Sequence, residues 1–421
     1  MAKYRIIGNM TGNSMDAIDL VLTEFDGDKM RDICSYSKPY TKEMQDKIES
    51  LRKKVFNKTK SEILNIADFK SIHDEYVRGV ACCIDEMLEA YNIDKNTVDA
   101  IGFHGKTLDH YPPSMARKDG KKPYTLQIGS GKMLADLTGI PVVYDFRSLY
   151  VMNGFEGAPL VMPHNAHIAK TLGDGVYYNG GNTSNFAIVV DYKSVLGADS
   201  GPCNEYVDAY IRLKTKESFD KDGMFGLKGK LNKELLAKLF DVGRAYYEMS
   251  FPKSGDPQYY HKDEIFRYID KNNIDFSDVI YTLEYFSAYV AVYALTLVDE
   301  SIYIPSKFVL FGGGWKNPVV KNSLITLLNG KGYVLKEHTK AFKNLYNRFN
   351  KKIDIVETSF GDFMEARLFA DMARYKLENK CWEIFEVIDA KKDIVAGVVA
   401  NPEEKRNEYD DMICEASKGW C

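Results

Sequence analysis

Apolar and polar positions alternate near the start of the chain in a pattern that predicts two strands, over residues 4–7 and 17–25. The turn between them is rich in glycine, asparagine and hydroxyl side chains. A hairpin of this kind can expose backbone N–H groups that bind phosphate oxygens. Asp16, just after the turn, is a candidate to hold a metal ion or a water that bridges to phosphate. Taken alone, the stretch is more simply an ordinary hairpin with a polar tip.

The rest of the chain alternates between helical and strand-like periods. Short apolar runs predict strands, and runs of helical period predict long helices, one of them with Ser277 as its N-cap. The predicted strands cover residues 98–103, 124–128, 142–144 and 307–311, and the predicted helices cover residues 42–54, 61–91 and 277–297. This alternation indicates an α/β fold. A second strand–turn–strand unit over residues 176–190 has a polar tip like the first, a weak internal repeat that predicts two related lobes.

Polar or glycine residues follow several of these strands directly. His104 follows one strand, Asp145 and Arg147 follow another, and Gly312–Gly314 follow the strand over residues 307–311. The carboxyl ends of strands are where open α/β sheets place ligands. A partly buried aspartate there can act as a general base, although a structural pair with Arg147 or a helix cap explains Asp145 equally well. Three consecutive glycines favour close approach of a phosphate or a flat ligand.

Composition narrows the class of protein. The chain has 421 residues, which predicts two large domains, and a net charge of −4, which argues against a nucleic-acid partner. No run approaches the roughly 18 apolar residues of a membrane span, so no membrane partner is expected. The seven cysteines lack Cys-x-x-Cys spacing, which suggests reduced thiols in a cytoplasm. His164 and His167 stand three residues apart, but no metal-binding motif surrounds them.

These motifs together resemble those of the anhydro-N-acetylmuramic acid kinase family, part of the actin/hexokinase/Hsp70-like superfamily. The similarity runs from Ile6 to about Pro402 in the expected order. The segments that carry it are residues 10–19, 102–107, 126–129, 138–140, 145–147, 157–160, 199–204, 219–223, 252–254, 311–314, 317–318, 365–366 and 369–370.

The resemblance implies a two-domain, actin-like ATPase (ribonuclease H-like) α/β fold with an inter-domain cleft. One lobe would comprise residues 1–140 with about 355–421, and the other residues 141–354. It implies an enzyme that uses ATP and Mg²⁺ in murein recycling. The enzyme would open the 1,6-anhydro ring of anhydro-N-acetylmuramic acid with water and phosphorylate the freed O6.

The resemblance also assigns roles to residues. Asp145 matches the general base, and Glu365 matches a carboxylate linked to Mg²⁺ and catalysis, with Asp16 as the other metal-side carboxylate. The nucleotide side is matched by Gly12, Asn13, Ser14 and Asp16, by Asp199, Ser200 and Gly201, and by Gly312, Gly313 and Gly314. The residues expected towards the sugar are His104, Lys106, Arg147, Glu156 and Pro159.

The chain departs from the family pattern at Lys106 and Glu156, which stand where glutamines are usual, and at Asn13 in the first loop. We expect Lys106 and Glu156 to pair across the sugar pocket, because paired buried charges tolerate desolvation better than single ones. The departures leave a different anhydro-sugar, such as levoglucosan, as an alternative substrate. An ordinary sugar kinase and a non-catalytic nucleotide-binding relative are further alternatives. The sequence does not define the role of the tail after Pro402, and the expected alternatives are that it covers a domain surface or mediates a homodimer.

Overall fold

A computed structural model describes residues 3–12, 17–55, 58, 60–113, 116, 120, 122–158, 160–251, 253, 260–358, 361, 363–382, 394–403 and 413–415. Two compact units make up the chain. The first comprises Met1–His167 with Phe363–Cys421, and the second comprises Ile168–Asp362. The lobe boundaries expected from the sequence, near residues 140 and 355, stay a prediction.

The described strands form three sheets. In chain order they are β1 Lys3–Met10, β2 Ala17–Asp26, β3 Lys29–Pro39, β4 Ala100–Phe103, β5 Lys106–Tyr111, β6 Tyr124–Ile128, β7 Val142–Tyr144, β8 Gly175–Gly180, β9 Thr183–Val190, β10 Lys193–Pro202, β11 Lys307–Phe311, β12 Asp354–Glu357, β13 Val398–Ala400 and β14 Ile413–Glu415. The sheet orders are β13-β7-β4-β1-β2-β3 and β14-β6-β5 in the first unit, and β10-β9-β8-β11-β12 in the second.

Each of the two units also contains its own helices. Those that begin in the first unit are Lys42–Val55, Lys60–Leu64, Phe69–Ala90, Gly131–Thr138, Ser148–Met152, Met162–Leu172 and Met364–Leu377. Those of the second are Glu205–Lys214, Lys233–Val242, Arg244–Tyr247, Lys262–Lys271, Phe276–Thr296, Pro318–Leu328 and Thr339–Arg348.

The two larger sheets share the order of five strands, and β13 adds a sixth, antiparallel strand to the first of them. Each contains three consecutive antiparallel strands, which are β1 to β3 in one sheet and β8 to β10 in the other. Two further strands extend each sheet from the first of these three, and both run parallel to it. The parallel additions are β4 and β7 in one sheet and β11 and β12 in the other. The order 3-2-1-4-5 therefore occurs twice, which gives the weak internal repeat of the sequence a structural basis.

Three local predictions need correction. The helix expected over residues 61–91 is interrupted, because Ile66 and Phe69 bond to carbonyls three residues back and tighten the backbone into turns. The ligand-facing loop expected at residues 104–110, after the strand over residues 98–103, is mostly the strand β5, whose residues are largely polar. The helix Phe276–Thr296 is capped by Asp275, whose carboxylate accepts from the N–H groups of Ser277 and Asp278, so Ser277 is not the N-cap.

The helix Phe276–Thr296 is also the described segment that is long and apolar enough to cross a membrane. Its most apolar window has a mean hydropathy of 1.2, and 89% of that window is buried inside the structure. The core helix of a globular unit has the same properties, so this helix is weak evidence for a membrane span.

The helix Met364–Leu377 lies very close to the larger sheet of its unit. A Cβ added to Gly8 would lie 1.8 Å from the carbonyl oxygen of Ala366, and one added to Gly102 would lie 2.1 Å from that of Phe369. Both glycines sit inside strands, where the residue normally weakens a sheet. Their role is therefore to let the backbone of the helix approach, which fixes the position of its first turn.

This close approach predicts a large cost for Gly8→Ala. The new methyl must push the helix away from the sheet, and overpacking of this kind costs about 1–3 kcal/mol or more. Gly79→Ala, in the helix Phe69–Ala90, is the matched control, because no described atom lies within 4 Å of the added Cβ. We expect the midpoint of urea unfolding to fall for Gly8→Ala and to hold or rise for Gly79→Ala. Equal midpoints would contradict the account.

Candidate active site

Three of the predicted site segments meet at one edge of the first unit's sheet. Because β1, β4 and β7 are parallel neighbours, their carboxyl ends lie side by side, and Phe103 is in register with both Asn9 and Tyr144. Residues 11–12, 104–106 and 145–147 follow these ends directly. Ligand sites of open α/β sheets lie at such an edge.

A hydrogen-bond chain links two of these segments. Arg147 donates from Nε to Nε2 of His104 over 2.9 Å, and His104 Nδ1 lies 3.0 Å from the carbonyl oxygen of Gly105. A guanidinium can only donate and a carbonyl can only accept, so His104 is neutral with its proton on Nδ1. Burial, followed by the charge of Arg147, holds the pKa of His104 well below 6.5. The imidazole therefore fixes the orientation of Arg147 without adding charge.

The guanidinium of Arg147 also reaches the loop that carries Glu156. Its Nη1 donates to the carbonyl oxygen of Gly157 over 2.7 Å. Gly157 has a φ of 69°, and a Cβ there would lie 2.8 Å from Val151 Cγ2, so both the backbone and the space favour glycine. Lost hydration lowers the pKa of Arg147 from 12.5 to about 10, and attraction to Glu365 opposes this shift. Arg147 thus remains a cation at neutral pH.

Asp145, the predicted base, has a left-handed backbone with a φ of 55°. Its side chain is partly exposed, and its Oδ1 accepts from the backbone N–H of Ser148 over 3.2 Å. That bond satisfies one of the N–H groups at the start of the helix Ser148–Met152. Asp145 therefore makes the contact that the helix-cap alternative predicts. The role of Asp145 as a base stays a prediction.

Glu365 and Lys106 complete the described part of this edge. Glu365 is exposed in the first turn of the helix Met364–Leu377, and its charge acts on Arg147. Lys106 is only 3% exposed, and its Nζ donates to the carbonyl oxygen of Gly12 over 2.9 Å. This contact ties β5 to the end of β1. The pairing of Lys106 with Glu156 stays a prediction.

A second group of predicted residues meets in the second unit. Across the sheet, Asp199 is in register with Asn185, Asn185 with Asn179, and Asn179 with Phe311. The backbone N–H groups of Cys203 and Asn204 then donate to the carbonyl oxygens of Asn182 and Gly181, respectively, over 2.7 and 3.1 Å. The tip of the hairpin, the end of β10 and the turn after β11 are thus neighbours.

The three glycines of the turn after β11 have different surroundings, so they are explained in different ways. A Cβ on Gly312 would lie 2.7 Å from the carbonyl oxygen of Gly180, and one on Gly314 would lie 2.4 Å from Cys203 Sγ. Packing accounts for both. Gly313 is exposed, and a Cβ added there would have no described atom within 4 Å, so packing does not explain this glycine. Close approach of a ligand to Gly313 stays a prediction.

Ser200 and Asp199 have unlike surroundings. The hydroxyl of Ser200 is buried and donates to the carbonyl oxygen of Ser184 over 3.0 Å, so it stabilises the pairing of β9 with β10. Asp199 is partly exposed, and it acts electrostatically on Lys253, a buried lysine whose backbone carbonyl accepts from the N–H of Asp199. Desolvation lowers the pKa of Lys253 to about 8. No role for Lys253 could be read from the sequence, because its burial beside Asp199 depends on the fold.

Four predicted site residues lie outside the described part of the chain. They are Asn13, Ser14 and Asp16 of the first loop, and Pro159 of the loop that carries Glu156. Their assigned roles stay predictions.

A buried polar cluster of the first unit joins His164 and His167 to Asp371. The Nδ1 atoms of the two histidines lie 2.9 and 2.5 Å from Asp371 Oδ2, and Arg374 donates to Oδ1 over 2.7 Å. Burial alone would raise the pKa of Asp371, but His167, His164 and Arg374 hold it well below 3.8. Such a set of side chains can hold a metal ion. Arg374, however, already balances the carboxylate, so a divalent cation would add uncompensated buried charge.

The strand order 3-2-1-4-5, present in both larger sheets, is that of the actin-like ATPase fold. A family model described as anhydro-N-acetylmuramic acid kinase matches residues 4–401. The chain belongs to the anhydro-N-acetylmuramic acid kinase family.

Individual proteins are also similar to this chain. The anhydro-N-acetylmuramic acid kinase of Vibrio vulnificus (strain CMCP6) is 28% identical over 399 residues, which cover 94% of this chain and 98% of that protein. Component A of (R)-2-hydroxyglutaryl-CoA dehydratase from Acidaminococcus fermentans has a TM-score of 0.43 at 12% identity, covering 90% of this chain and 100% of that one. Gluconate kinase from Lactobacillus acidophilus has a TM-score of 0.35 at 13% identity, covering 96% and 94%.

The buried neutral His104 predicts acid destabilisation. The unfolded chain takes up a proton near pH 6.5, whereas the folded chain does so only at much lower pH. Stability contributed by this group is therefore full above pH 6.5 and falls as the pH drops below it, by up to about 1.4 kcal/mol per pH unit. We expect His104→Gln to flatten the fall of the unfolding midpoint between pH 7 and 5. His261→Asn, at an exposed site, should keep the wild-type slope, and an unchanged slope in His104→Gln would refute the argument.

The proposed partnership of Lys106 and Glu156 predicts coupling between them. Removing one member of a paired set leaves the other charge uncompensated, so Lys106→Gln and Glu156→Gln should each raise the KM for the sugar. The double variant should then lie nearer to the wild type than the two single effects added together. If the effect of the double variant equals the sum of the two single effects, the two side chains act independently.

Proposed function

We propose that this chain is an ATP-dependent kinase of 1,6-anhydro-N-acetylmuramic acid that opens the anhydro ring with water and phosphorylates O6. The family match over residues 4–401 carries the proposal. The strand-end groups of the two units supply the chemistry that such a reaction needs. Phosphoryl transfer depends chiefly on positioning and on neutralising charge, and ring opening needs a base that activates water.

The sugar is assigned to the groups of the first unit. Asp145 orients the attacking water and takes its proton as the bond between C1 and O6 breaks. The departing O6 carries negative charge and attacks the γ-phosphoryl group, whose bond to the β-phosphate oxygen breaks to release ADP. Arg147, held by His104 and Gly157, presents a fixed cation beside Glu365. Lys106, at the start of β5, and Glu156 are assigned to the same sugar site. A pre-oriented cation costs no rearrangement at the moment of reaction.

The nucleotide is assigned to the second unit, with the first loop at residues 12–16. Gly313, which packing does not require to be glycine, supports close approach of the nucleotide. Asp199, Gly201 and the backbone of Ser200 stand at the neighbouring strand end. Mg²⁺ would be held by Asp16 and by Glu365, whose exposed carboxylate offers the oxygen ligands that this ion prefers. When bound, the ion neutralises charge on the phosphates.

A reducing compartment, the cytoplasm, suits the cysteines that the structure describes. Cys34, Cys82, Cys83, Cys203 and Cys381 are free thiols. Disulfides are rare where thiols are kept reduced. The compartment also suits a kinase that consumes ATP.

The two alternative sugar activities are less well supported. Neither a levoglucosan-like substrate nor simple phosphorylation of a free hydroxyl is favoured by the family match. Lys106 and Glu156 remain the residues to change if the preference among anhydro-sugars differs from the family's.

A panel assay tests the proposal. ATP consumption is measured with 1,6-anhydro-N-acetylmuramic acid, levoglucosan, N-acetylmuramic acid and glucose. The first sugar should give the highest kcat/KM. Equal turnover of glucose or of open N-acetylmuramic acid would favour an ordinary sugar kinase and refute the proposal.

The base is tested by a matched pair of amide variants. Asp145→Asn should lower kcat by about 10²–10⁴, the usual contribution of a positioned base, with a smaller effect on the KM for ATP. Asp199→Asn removes the other strand-end carboxylate and should act mainly on that KM. If Asp145→Asn stays active while Asp199→Asn loses kcat, the base is Asp199 and the assignment of Asp145 is wrong.

A further inference from the structure

A glutamate lies at the centre of the apolar helix Phe276–Thr296. Glu284 is fully buried, on a helix whose neighbouring positions are apolar. An isolated buried carboxylate is very costly, so this side chain must have partners or be neutral. The proposed reaction assigns no role to it.

The first partner of Glu284 is Asp220, in the segment that follows the helix Glu205–Lys214. The Asp220 carboxylate accepts from the backbone N–H groups of Phe225 and Gly226, each over 2.9 Å. A Cβ added to Gly226 would lie 1.9 Å from Glu284 Oε2 and 3.3 Å from Asp220 Oδ2. The loop backbone thus closes directly over two adjacent carboxyl groups, and only glycine fits there.

The second partner is Asn317, at the end of the three-glycine turn. Its Nδ2 donates to Glu284 Oε1 over 2.6 Å. Its Oδ1 accepts from the N–H groups of Val319 and Val320, which caps the helix that begins at Pro318. Its backbone N–H donates to the carbonyl oxygen of Gly314. One asparagine therefore joins the turn, the following helix and Glu284.

These contacts define the protonation of the pair. Glu284 Oε1 is an acceptor, and Oε2 is buried beside the Asp220 carboxylate with no other partner among the described residues. Two charged carboxylates cannot share such a site, whereas a protonated Oε2 donates to Asp220 and satisfies both groups. Burial, then Asp220, raises the pKa of Glu284 to about 9. Asp208, on the helix Glu205–Lys214, is the other charged group that acts on it in the same direction.

We propose that the carboxyl pair Asp220–Glu284, sharing one proton, is a positioning element that holds the Gly312–Asn317 turn in the shape that binds nucleotide. The inference rests on the assignment of that turn to ATP in the proposed function. Neutral Glu284 holds Asn317 through a hydrogen bond. Asp220 holds the backbone of the loop that packs beside the same turn. A Cβ at Gly223 of that loop would lie 2.9 Å from Pro318 Cγ, so the loop and the helix start are in contact.

The variants follow from this hydrogen-bond pattern. Glutamine reproduces protonated glutamate, because its amide donates to Asp220 and its oxygen accepts from Asn317. Glu284→Gln should therefore bind ATP as the wild type does at pH 7.5. Glu284→Met keeps the volume but removes both bonds, and it should weaken ATP binding and raise the KM for ATP by about tenfold, with kcat little changed. Thr282→Val, on the same helix but bonded to Asn232, is the control and should leave the KM unchanged.

A pH series separates positioning from simple structural support. ATP binding is measured directly by calorimetry between pH 7 and 10, alongside KM and kcat. The wild type should lose affinity relative to Glu284→Gln as the pH rises through about 9, because ionised Glu284 repels Asp220 and Asp208. This comparison stands even if Glu284→Met fails to fold.

The outcomes distinguish the inference from the function on which it rests. A wild type that binds no ATP would overturn the proposed function and the inference with it. A wild type that binds ATP, with the same affinity as Glu284→Gln at every pH, would overturn the inference alone. Unchanged ATP binding in a folded Glu284→Met would do the same.

Discussion

The parallel pairing of β1, β4 and β7 is the constraint on which the candidate site of the first unit depends. It places the residues after three distant strands at one edge, where Arg147 can bond to His104 and Lys106 to Gly12. The helix that carries Glu365 reaches this edge because Gly8 and Gly102 leave room for its backbone. Residues far apart in sequence thus become neighbours through backbone geometry, before any side-chain chemistry acts.

The two units use one strand order but stabilise their strand ends differently. In the first, a guanidinium donates to a neutral imidazole and to a carbonyl, so the orientation of a charged group is fixed. In the second, the neutral carboxyl of the proton-sharing pair Asp220–Glu284 accepts from Asn317, which holds the glycine turn. Cations suit an anionic, oxygen-rich substrate. A glycine turn suits backbone donors, which need shape more than charge.

Much of the fold could be predicted from the sequence, because short apolar strands and glycine-rich turns are local signals. The strands over residues 124–128, 142–144 and 307–311 were predicted with the bounds that the structure has. The strand β5 was missed, because its residues are mostly polar and follow a glycine, as loop residues do. Long-range pairs could not be predicted: Asp371 meets His167 across 204 residues, and Glu284 meets Asn317 only once the turn is folded. No local pattern marks such partners.

The route of the reaction is tested most directly by turnover of 1,6-anhydro-N-acetylmuramic acid in ¹⁸O-labelled water, with the product analysed by mass spectrometry. Attack of water at C1 and departure of O6 should give a ring-opened 6-phosphate with one heavy oxygen at C1, together with one ADP. The open sugar kept in the same water without enzyme corrects for exchange at C1. A phosphorylated product that retains its anhydro bridge and carries no label would contradict the account.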